Sequence, residues 1–463
     1  MPMLRFIFCW LLLAFLGCFS DVCYTMKYKI GVNYGQLGND LPSPQEVVPM
    51  LQKMNVGMVK LYDANPEILK ALSNTGIKVS VMVRNEDIAN VSSNQSFANN
   101  WVKRNVIYFY PGTRIITVLV GNEILSDYGH NQTWYQLVPA MRKIRQALLR
   151  YNLHHIRVGT PSAMDVLNTS FPPSAGVFRN DIAESIMKPM LKFLNRTKSS
   201  FFVDVYPYFP WSSDPKNITL DYASFDDDAK NYTDPSGLVY TNLLDQQLDA
   251  VIAAMSKLGY GDIRLTIAET GWPNAGDLNQ LGANIFNAAH YNRRLVRRML
   301  ADPPLGTPSR PNQFIPVFIF SVFNENQKSG PGTERHWGLL YPNGSRVYEI
   351  DLTGKLTDSQ YMALPPPPPP YRGKLWCVVD LKANMSALPD AITYACSQGN
   401  NTCIDIQPGK PCYQPSSVVR HASYAFNSYW QQFKNSGASC YFNGAATMVT
   451  KNPSYGSCRY PYN

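Results

Sequence analysis

Six consecutive prolines, Pro365 to Pro370, divide this 463-residue chain into two parts that cannot share one continuous fold. Proline fixes its φ angle and lacks a backbone N–H, so such a run forms an extended polyproline II rod. The sequence therefore predicts four segments: a signal peptide at 1–26, a large domain at 27–351, a proline-rich linker at 352–372 and a small domain at 373–463.

The cysteines lie in two groups. Cys9, Cys18 and Cys23 are at the N-terminus, and the next six all fall in the small domain: Cys377, Cys396, Cys403, Cys412, Cys440 and Cys458. Six cysteines in so short a segment are typical of the disulfide framework of a secreted domain. A zinc cluster is the alternative, but no CxxC pair or nearby histidine ladder supports it.

The N-terminus predicts export. Arg5 precedes an apolar run from Phe6 to Phe19 that is typical of a secretory signal peptide, with an uncleaved anchor as the alternative. We expect no lipid anchor, because only Arg459 to Asn463 follow the last cysteine. Ten Asn-x-Ser/Thr sequons agree with secretion and are candidate glycosylation sites: Asn90, Asn94, Asn131, Asn168, Asn195, Asn217, Asn231, Asn343, Asn384 and Asn400.

Composition and motif searches exclude several classes of protein. Charged residues make up 16% of the chain and the net charge is a dispersed +9, which does not indicate a nucleic-acid partner. No apolar run beyond the N-terminal one is long enough for a multi-pass membrane protein. The six histidines form no metal-binding pattern, and neither a P-loop nor a Gly-x-Ser-x-Gly elbow occurs. We therefore expect no cofactor and no metal.

Eight short β-rich runs alternate with amphipathic helical stretches in the large domain. The runs are Ile30–Tyr34, Met58–Tyr62, Lys78–Val83, Arg114–Val120, Ile156–Thr160, Phe202–Tyr206, Arg264–Ala268 and Phe314–Phe323. This alternation predicts an α/β fold, a (β/α)8 TIM barrel. An open, doubly wound sheet is the alternative, but no glycine-rich phosphate loop follows any run.

Two glutamates stand where a barrel carries its active-site groups, at the carboxyl ends of strands. Glu123 follows the fourth run and Glu269 follows the seventh. A carboxylate after several apolar residues is costly unless it is paired, hydrogen-bonded or used in chemistry. Two carboxyl groups facing each other across one cleft suit glycoside hydrolysis, although strand-end capping or ion pairing is the alternative for each.

Aromatic residues accompany the glutamates. Trp272 follows Glu269 closely, and other aromatics lie at predicted strand ends: Tyr34, Tyr62, Tyr206 and Phe323. Each alone favours core packing, but together they predict an aromatic-rich mouth that binds a sugar.

Ordered motifs extend over nearly the whole large domain. They include GVNYG (31–35), LYDANP (61–66), VGNE (120–123), VYPYF (205–209), AETGWP (268–273), FNENQK (323–328), ERHWGL (334–339) and YPNG (341–344). This set resembles plant glycoside hydrolase family 17, the β-1,3-glucanases. The resemblance implies a retaining endo-hydrolase in which Glu123 is the general acid/base and Glu269 the nucleophile. It further implies that Asn122 binds the sugar 2-hydroxyl and that a charged group surrounds the pair: Glu325, Lys328 and Glu334.

The small domain resembles carbohydrate-binding module family 43. The matching motifs are LWCVV (375–379), YAC (394–396), IQPG (406–409), HASYAFNSY (421–429) and PSYGSC (453–458). The resemblance implies binding of β-1,3-glucan and the bridges Cys377–Cys440, Cys396–Cys403 and Cys412–Cys458. A purely structural appendage is the alternative.

Together the two resemblances predict a secreted, monomeric endo-β-1,3-glucanase of the cell wall, without an obligate protein partner. Two alternatives stay open. One is a wall-binding protein whose barrel has lost activity, and the other is an enzyme that transfers glucan chains to sugar acceptors. Water access and acceptor subsites decide between hydrolysis and transfer, and the sequence does not reveal them.

Overall fold

The computed structural model describes residues 30–462, so the predicted signal peptide and its three cysteines lie outside the described residues. Nine parallel strands form the main sheet: β1 (Ile30–Tyr34), β2 (Met58–Leu61), β3 (Lys78–Val83), β4 (Arg114–Val120), β5 (Arg157–Gly159), β6 (Pro161–Ala163), β7 (Phe201–Asp204), β8 (Leu265–Thr270) and β9 (Val317–Ile319). Eight of the nine follow the predicted runs, and β6 is an addition.

The extra strand brings the two ends of the sheet together. The order of neighbours in the sheet is β5-β4-β3-β2-β1-β9-β8-β7-β6. Thr160 alone separates the two end strands along the chain. The fifth predicted run therefore pairs only with β4, and the segment just beyond it pairs with β7. The TIM barrel predicted from the sequence is confirmed.

Helices connect the strands and cover the barrel. They are α1 (Pro44–Lys53), α2 (Pro66–Ala71), α3 (Ile88–Ser93), α4 (Gln95–Val102), α5 (Trp134–Arg150), α6 (Lys188–Thr197), α7 (Tyr208–Ser213), α8 (Leu220–Ala223), α9 (Leu243–Lys257) and α10 (Ile285–Met299). The last two helices of the barrel domain each begin with an N-cap residue. The Asn242 side chain caps α9 and the Asn284 side chain caps α10. Both asparagines accept a backbone N–H at the helix start.

The barrel interior is apolar below its mouth. Met82, Leu119, Phe202 and Ala268 form a buried cluster inside the ring of strands. Side chains two residues apart on a strand share a face, so Asp204 lies one layer above Phe202, toward the carboxyl end of β7. The strands thus place an apolar floor beneath polar side chains at the mouth.

A bulge in β8 turns Glu269 toward this interior. Ala268 already faces inward, so regular alternation would send the next side chain outward. The register of β8 shifts beside Glu269 against both neighbouring strands. Such a bulge changes the direction in which a side chain points, and here two successive residues face the barrel axis.

The C-terminal module has its own core. Strands β10 (Trp376–Val379) and β11 (Ala446–Val449) pair antiparallel and pack with α11 (Leu388–Ser397) and α12 (Val418–Phe433). Trp376, Phe426 and Trp430 are buried in this core. The structure contains the predicted bridges Cys377–Cys440, Cys396–Cys403 and Cys412–Cys458.

Part of the segment predicted as linker packs on the barrel. Leu352 is buried, and Leu364 packs against the barrel core. The Arg293 guanidinium lies 3.9 Å from the centre of the Tyr361 ring. The prolines that follow are mostly exposed. Beyond them, Tyr441 of the module contacts Arg335 of the barrel, with the guanidinium 3.8 Å from the ring centre.

Reduction should unfold the module and leave the barrel folded, because the cysteines among residues 30–462 all lie in the module. Each bridge in a small secreted domain contributes about 2–5 kcal/mol, and a core of this size is marginal by itself. Calorimetry should show two transitions for the oxidised protein and only the barrel transition after reduction. Loss of both transitions would show that barrel stability depends on the module.

Candidate active site

A cleft of about 670 Å³ opens at the carboxyl ends of the barrel strands. Most of the residues predicted for the site line it: Tyr62, Asn122, Glu123, Tyr206, Glu269, Glu325, Lys328 and Glu334. They come from segments far apart in sequence, which the closed barrel brings to one rim.

Three predicted substrate-binding aromatics do not line the cleft. Tyr34, Trp272 and Phe323 belong to the buried core, and Trp272 has no exposed surface. The Trp272 indole N–H donates to the Gly282 carbonyl at 2.9 Å, and its ring packs against Trp211 of α7 and Tyr291 of α10. These side chains therefore hold the barrel together, and the prediction that they bind substrate is corrected. The added aromatic lining comes from Phe209, Phe320 and Trp337.

Glu269 is held by three donors. The Lys60 Nζ lies 2.5 Å from its Oε1. The Tyr62 hydroxyl donates to Oε1 at 2.6 Å and the Tyr206 hydroxyl donates to Oε2 at 2.7 Å. Burial alone would raise the pKa of Glu269, but the ammonium and the three hydrogen bonds outweigh it and lower the pKa below 4.5. Glu269 is therefore ionised at neutral pH.

Lys60 is a partner of Glu269 that the sequence analysis missed. It is fully buried on β2, and its Nζ also donates to Asn122 Oδ1 at 3.3 Å. The signal was present, because a lysine inside an apolar strand requires a buried partner. Lys328, which was predicted as part of the charged group around the two glutamates, pairs with Glu334 at 3.5 Å.

A sharp turn directs Glu123 into the cleft. Gly121 has φ +70° and Glu123 has φ +50°, so the chain bends just after β4. A Cβ at Gly121 would lie 2.6 Å from the Ile124 side chain, so glycine is required there. The Asn85 side chain fixes the turn, donating to the Asn122 carbonyl at 3.1 Å and accepting the Asn122 N–H at 2.8 Å.

Glu123 has the opposite protonation preference from Glu269. Burial, followed by the negative charge of Glu269, raises the pKa of Glu123 to about 7, although the ammonium groups of Lys60 and Lys328 oppose this. Glu123 therefore holds its proton in mildly acidic solution while Glu269 does not. One cleft thus contains both an acid and an ionised carboxylate.

Asp204 is a third carboxyl group in the site, and the sequence analysis did not single it out. It lies at the end of β7, opposite Glu269 in the register of the two strands. Its side chain lines the cleft but is only 2% exposed. Burial, followed by the charge of Glu269, raises the pKa of Asp204 well above its ordinary value.

Glu325 is packed tightly beneath the loop after β1. Its Oε1 accepts the Leu37 N–H at 2.7 Å, and a side chain at Gly35 would collide with its carboxyl group. Burial raises the pKa of Glu325 above its ordinary value. Glycine at position 35 therefore allows the loop to approach this carboxyl group.

Three further features of residues 30–462 concern membrane spans, metal-binding groups and the glycosylation sequons. Within residues 30–462, no helix is both long and apolar enough to cross a membrane. In the same residues, no group of three or more His, Cys, Asp or Glu side chains is arranged to hold a metal ion. The asparagines of all ten sequons are exposed, as attachment of a glycan would require.

Family models match both domains. The model described as glycosyl hydrolases family 17 matches residues 30–352, and the model described as the X8 domain matches residues 375–447. The two matches fall on either side of the proline run. They agree with the two cores that the structure contains.

Similar proteins cover nearly the whole chain. A protein of Arabidopsis thaliana named probable glucan endo-1,3-beta-glucosidase A6 is 52% identical over 436 residues, 94% of this chain and 91% of its own. The glucan endo-1,3-beta-D-glucosidase of Olea europaea is 38% identical over 433 residues, 93% of each chain.

Solved structures match the barrel. CJP38, a beta-1,3-glucanase and allergen of Cryptomeria japonica pollen, is 42% identical with a TM-score of 0.66, covering 70% of this chain and 99% of its own. A structure from a study of two plant beta-glucan endohydrolases is 36% identical with a TM-score of 0.64, covering 69% and 99%.

Replacing Lys60 with methionine should destabilise the protein most at neutral pH. The pair stabilises the fold where Glu269 is ionised in both states, and this contribution is lost as pH falls through the lowered pKa of Glu269. Breaking a buried pair costs about 3–5 kcal/mol, so denaturant unfolding should show that loss near neutral pH and a smaller one in acid.

Two variants make this test specific. Adding Glu269→Gln to Lys60→Met should recover part of the lost stability, because no unpaired carboxylate is then buried. Lys53→Met, at the exposed end of α1, should have little effect. A Lys60→Met loss that is constant with pH and not recovered in the double variant would contradict the role given to the charge.

Proposed function

Because the chain belongs to glycosyl hydrolase family 17, we propose that it is a glucan endo-1,3-β-glucosidase that cleaves β-1,3-glucan with retention. The observation that carries this proposal is the presence of Glu123 and Glu269 in one cleft, where three donors hold Glu269 as a carboxylate and burial raises the pKa of Glu123 to about 7. Retaining glycosidases need this combination of an acid and a nucleophile. The printed names of the relatives support the choice of substrate.

In the first step Glu269 attacks the anomeric carbon while Glu123 protonates the glycosidic oxygen. The glycosidic bond at the anomeric carbon breaks, and the leaving chain departs with the transferred proton on its new hydroxyl group. Glu269 becomes a glycosyl ester. Tyr62 and Tyr206 donate to the two oxygens of Glu269 and aim the carboxylate. The amide oxygen of Asn122 accepts a hydrogen bond from the Lys60 ammonium. The side-chain N–H groups of Asn122 are therefore available to a sugar hydroxyl.

In the second step Glu123 acts as a base. It takes a proton from water as the water oxygen attacks the anomeric carbon, and the ester bond to Glu269 breaks. The carboxylate then returns to the pair with Lys60. Phe209 and Trp337 offer faces and edges of aromatic rings along the cleft, on which sugar rings pack.

The module is proposed to hold the enzyme on insoluble glucan. Tyr394 of the module is half exposed, and its ring contacts those of Tyr429 and Phe442. Aromatic rings at a surface suit the faces of sugar rings. We further propose that the protein is secreted to the cell wall, where the sequons carry glycans and the bridges remain oxidised.

Substitutions of the two glutamates should have different consequences. Glu269→Ala should abolish hydrolysis, because no glycosyl ester can form. Glu123→Ala should slow glucan hydrolysis by about 10²–10⁴-fold, the usual contribution of general acid–base catalysis. Aryl glucosides with good leaving groups need no protonation, so their first step should slow less.

The matched control is Glu67→Ala, an exposed glutamate on α2, which should leave both rates unchanged. Initial rates on a linear β-1,3-glucan and on an activated aryl glucoside give the comparison. Equal slowing of both substrates in Glu123→Ala would assign the acid role to another residue.

The first product released should have the β configuration. A nucleophile mechanism needs carboxyl groups about 5–5.5 Å apart, whereas an inverting enzyme leaves a gap of about 6.5–9.5 Å for water. Proton NMR during the first minutes of laminarin hydrolysis distinguishes the two anomers. Initial α product would exclude the glycosyl ester of Glu269.

The module should bind glucan by itself. Residues 371–463, expressed in an oxidising host, should sediment with insoluble β-1,3-glucan, and reduction should release them. In the full chain, reduction should lower activity on insoluble glucan but spare short soluble oligosaccharides, because the tether no longer concentrates the barrel at the polymer. Equal loss on both substrates would contradict a separate binding function.

A further inference from the structure

Asp204 lies beside both glutamates, and neither step described above uses it. Its side chain is 2% exposed, and Glu269 is its register partner on β8. Among residues 30–462, no N–H or O–H donor reaches either of its carboxyl oxygens. The carboxyl group of Glu123 lines the same cleft and is a hydrogen-bonding neighbour of the Asp204 side chain.

This arrangement indicates where a proton lies. Two carboxyl groups form a hydrogen bond only when one of them is protonated, because ionised carboxylates have no donor. A buried, ionised Asp204 without a donor would also be costly. Burial, then the charge of Glu269, raises the pKa of Asp204 well above its ordinary value, in agreement with a neutral group.

Building on the proposed function, we infer that Asp204 keeps its proton throughout the reaction and donates it in a hydrogen bond to Glu123. Asp204 is thus a positioning residue that acts through Glu123. It stabilises Glu123 in the ionised form that exists between the two steps. The proton of Asp204 itself is never transferred.

The charge balance of the reaction favours such a donor. When Glu123 gives its proton to the glycosidic oxygen, it becomes negative as Glu269 becomes a neutral ester. Negative charge therefore moves from Glu269, which accepts three hydrogen bonds, to Glu123, which lies beside Asp204. A hydrogen bond to an ionised acceptor is about twice as strong as one between neutral groups, so the Asp204 hydroxyl contributes most at this point.

Several charged groups surround Asp204 and Glu123 and are left unchanged in the test. Those acting on both are Glu269 on β8 and Lys60 on β2, and those acting on Glu123 are Asp165 and Lys328. Differences among variants at position 204 therefore report on that side chain.

The first experiment measures the pH dependence of kcat/KM on soluble β-1,3-glucan. Asp204→Asn is neutral and still has an N–H donor, so the alkaline limb, set by the Glu123 pKa of about 7, should move by less than about 0.3 pH unit. Asp204→Ala has no donor, so the limb should move up by about 1–2 units and kcat should fall about tenfold with little change in KM.

Two results would overturn the inference. A downward shift of about one unit or more in Asp204→Asn would mean that wild-type Asp204 is ionised, because the substitution would then have removed a negative charge. Equal losses in both variants with unmoved limbs would mean that Asp204 only fills space. If Asp204→Ala does not fold, the alkaline limb of the kcat/KM profile of Asp204→Asn still shows whether Asp204 is charged.

A second experiment needs no substrate and separates this inference from the proposed function. A protonated Asp204 must take up a proton on folding above its ordinary pKa of 3.8. The folding equilibrium constant of Asp204→Asn relative to wild type should therefore rise about tenfold per pH unit above that value, until the pKa of folded Asp204 is reached. A flat ratio would overturn the inference even in an active enzyme. A rising ratio in a protein without glucanase activity would refute only the proposed function.

Discussion

The ion pair between Lys60 and Glu269 is the interaction on which the chemistry of the cleft depends. Lys60 is buried inside a strand, where an ammonium group requires a partner, and Glu269 supplies it. One ammonium balances one carboxylate. The charge that Glu269 keeps then acts on Glu123 and Asp204 and favours their neutral forms. Lys60, together with the hydrogen bonds from Tyr62 and Tyr206, therefore keeps Glu269 ionised, while burial and the Glu269 charge favour the neutral forms of Glu123 and Asp204.

Backbone geometry makes this pairing possible. The bulge in β8 turns Glu269 inward although Ala268 already faces the interior. The left-handed turn at Gly121 and Glu123 sends the second glutamate back over the cleft. Both features cost conformational energy, and the parallel barrel around them is rigid enough to maintain them. The position of the charges therefore depends on local departures from regular strand geometry.

The sequence predicted the barrel because parallel strands buried on both sides read as apolar runs, and the proline run marked the second domain. It also indicated Glu123 and Glu269, because a carboxylate after an apolar run is conspicuous. The same reasoning applies to Lys60 and Asp204. They were missed because each stands inside its run, where neither a terminal position nor a partner distant in sequence was visible.

For the aromatic residues, the sequence predicted more substrate-binding side chains than the cleft contains. Tyr62 and Tyr206 line the cleft, whereas Trp272 packs in the core. Which face a residue at a strand end presents depends on the parity of the strand, and the bulge in β8 changes that parity just before Trp272. The strand that begins after Thr160 was also missed, because one residue between two short strands leaves no clear break in the sequence pattern.

Neutron diffraction from deuterated crystals tests the central claim most directly, because it locates the exchangeable protons on all three carboxyl groups at once. At a pH below the Glu123 pKa of about 7, the account predicts deuterium on Glu123 and Asp204, a fully deuterated Lys60 ammonium, and none on Glu269. Deuterium on Glu269, or a bare Asp204 beside a protonated Glu123, would contradict the claim that the pair with Lys60 makes Glu269 the ionised carboxyl group of the three.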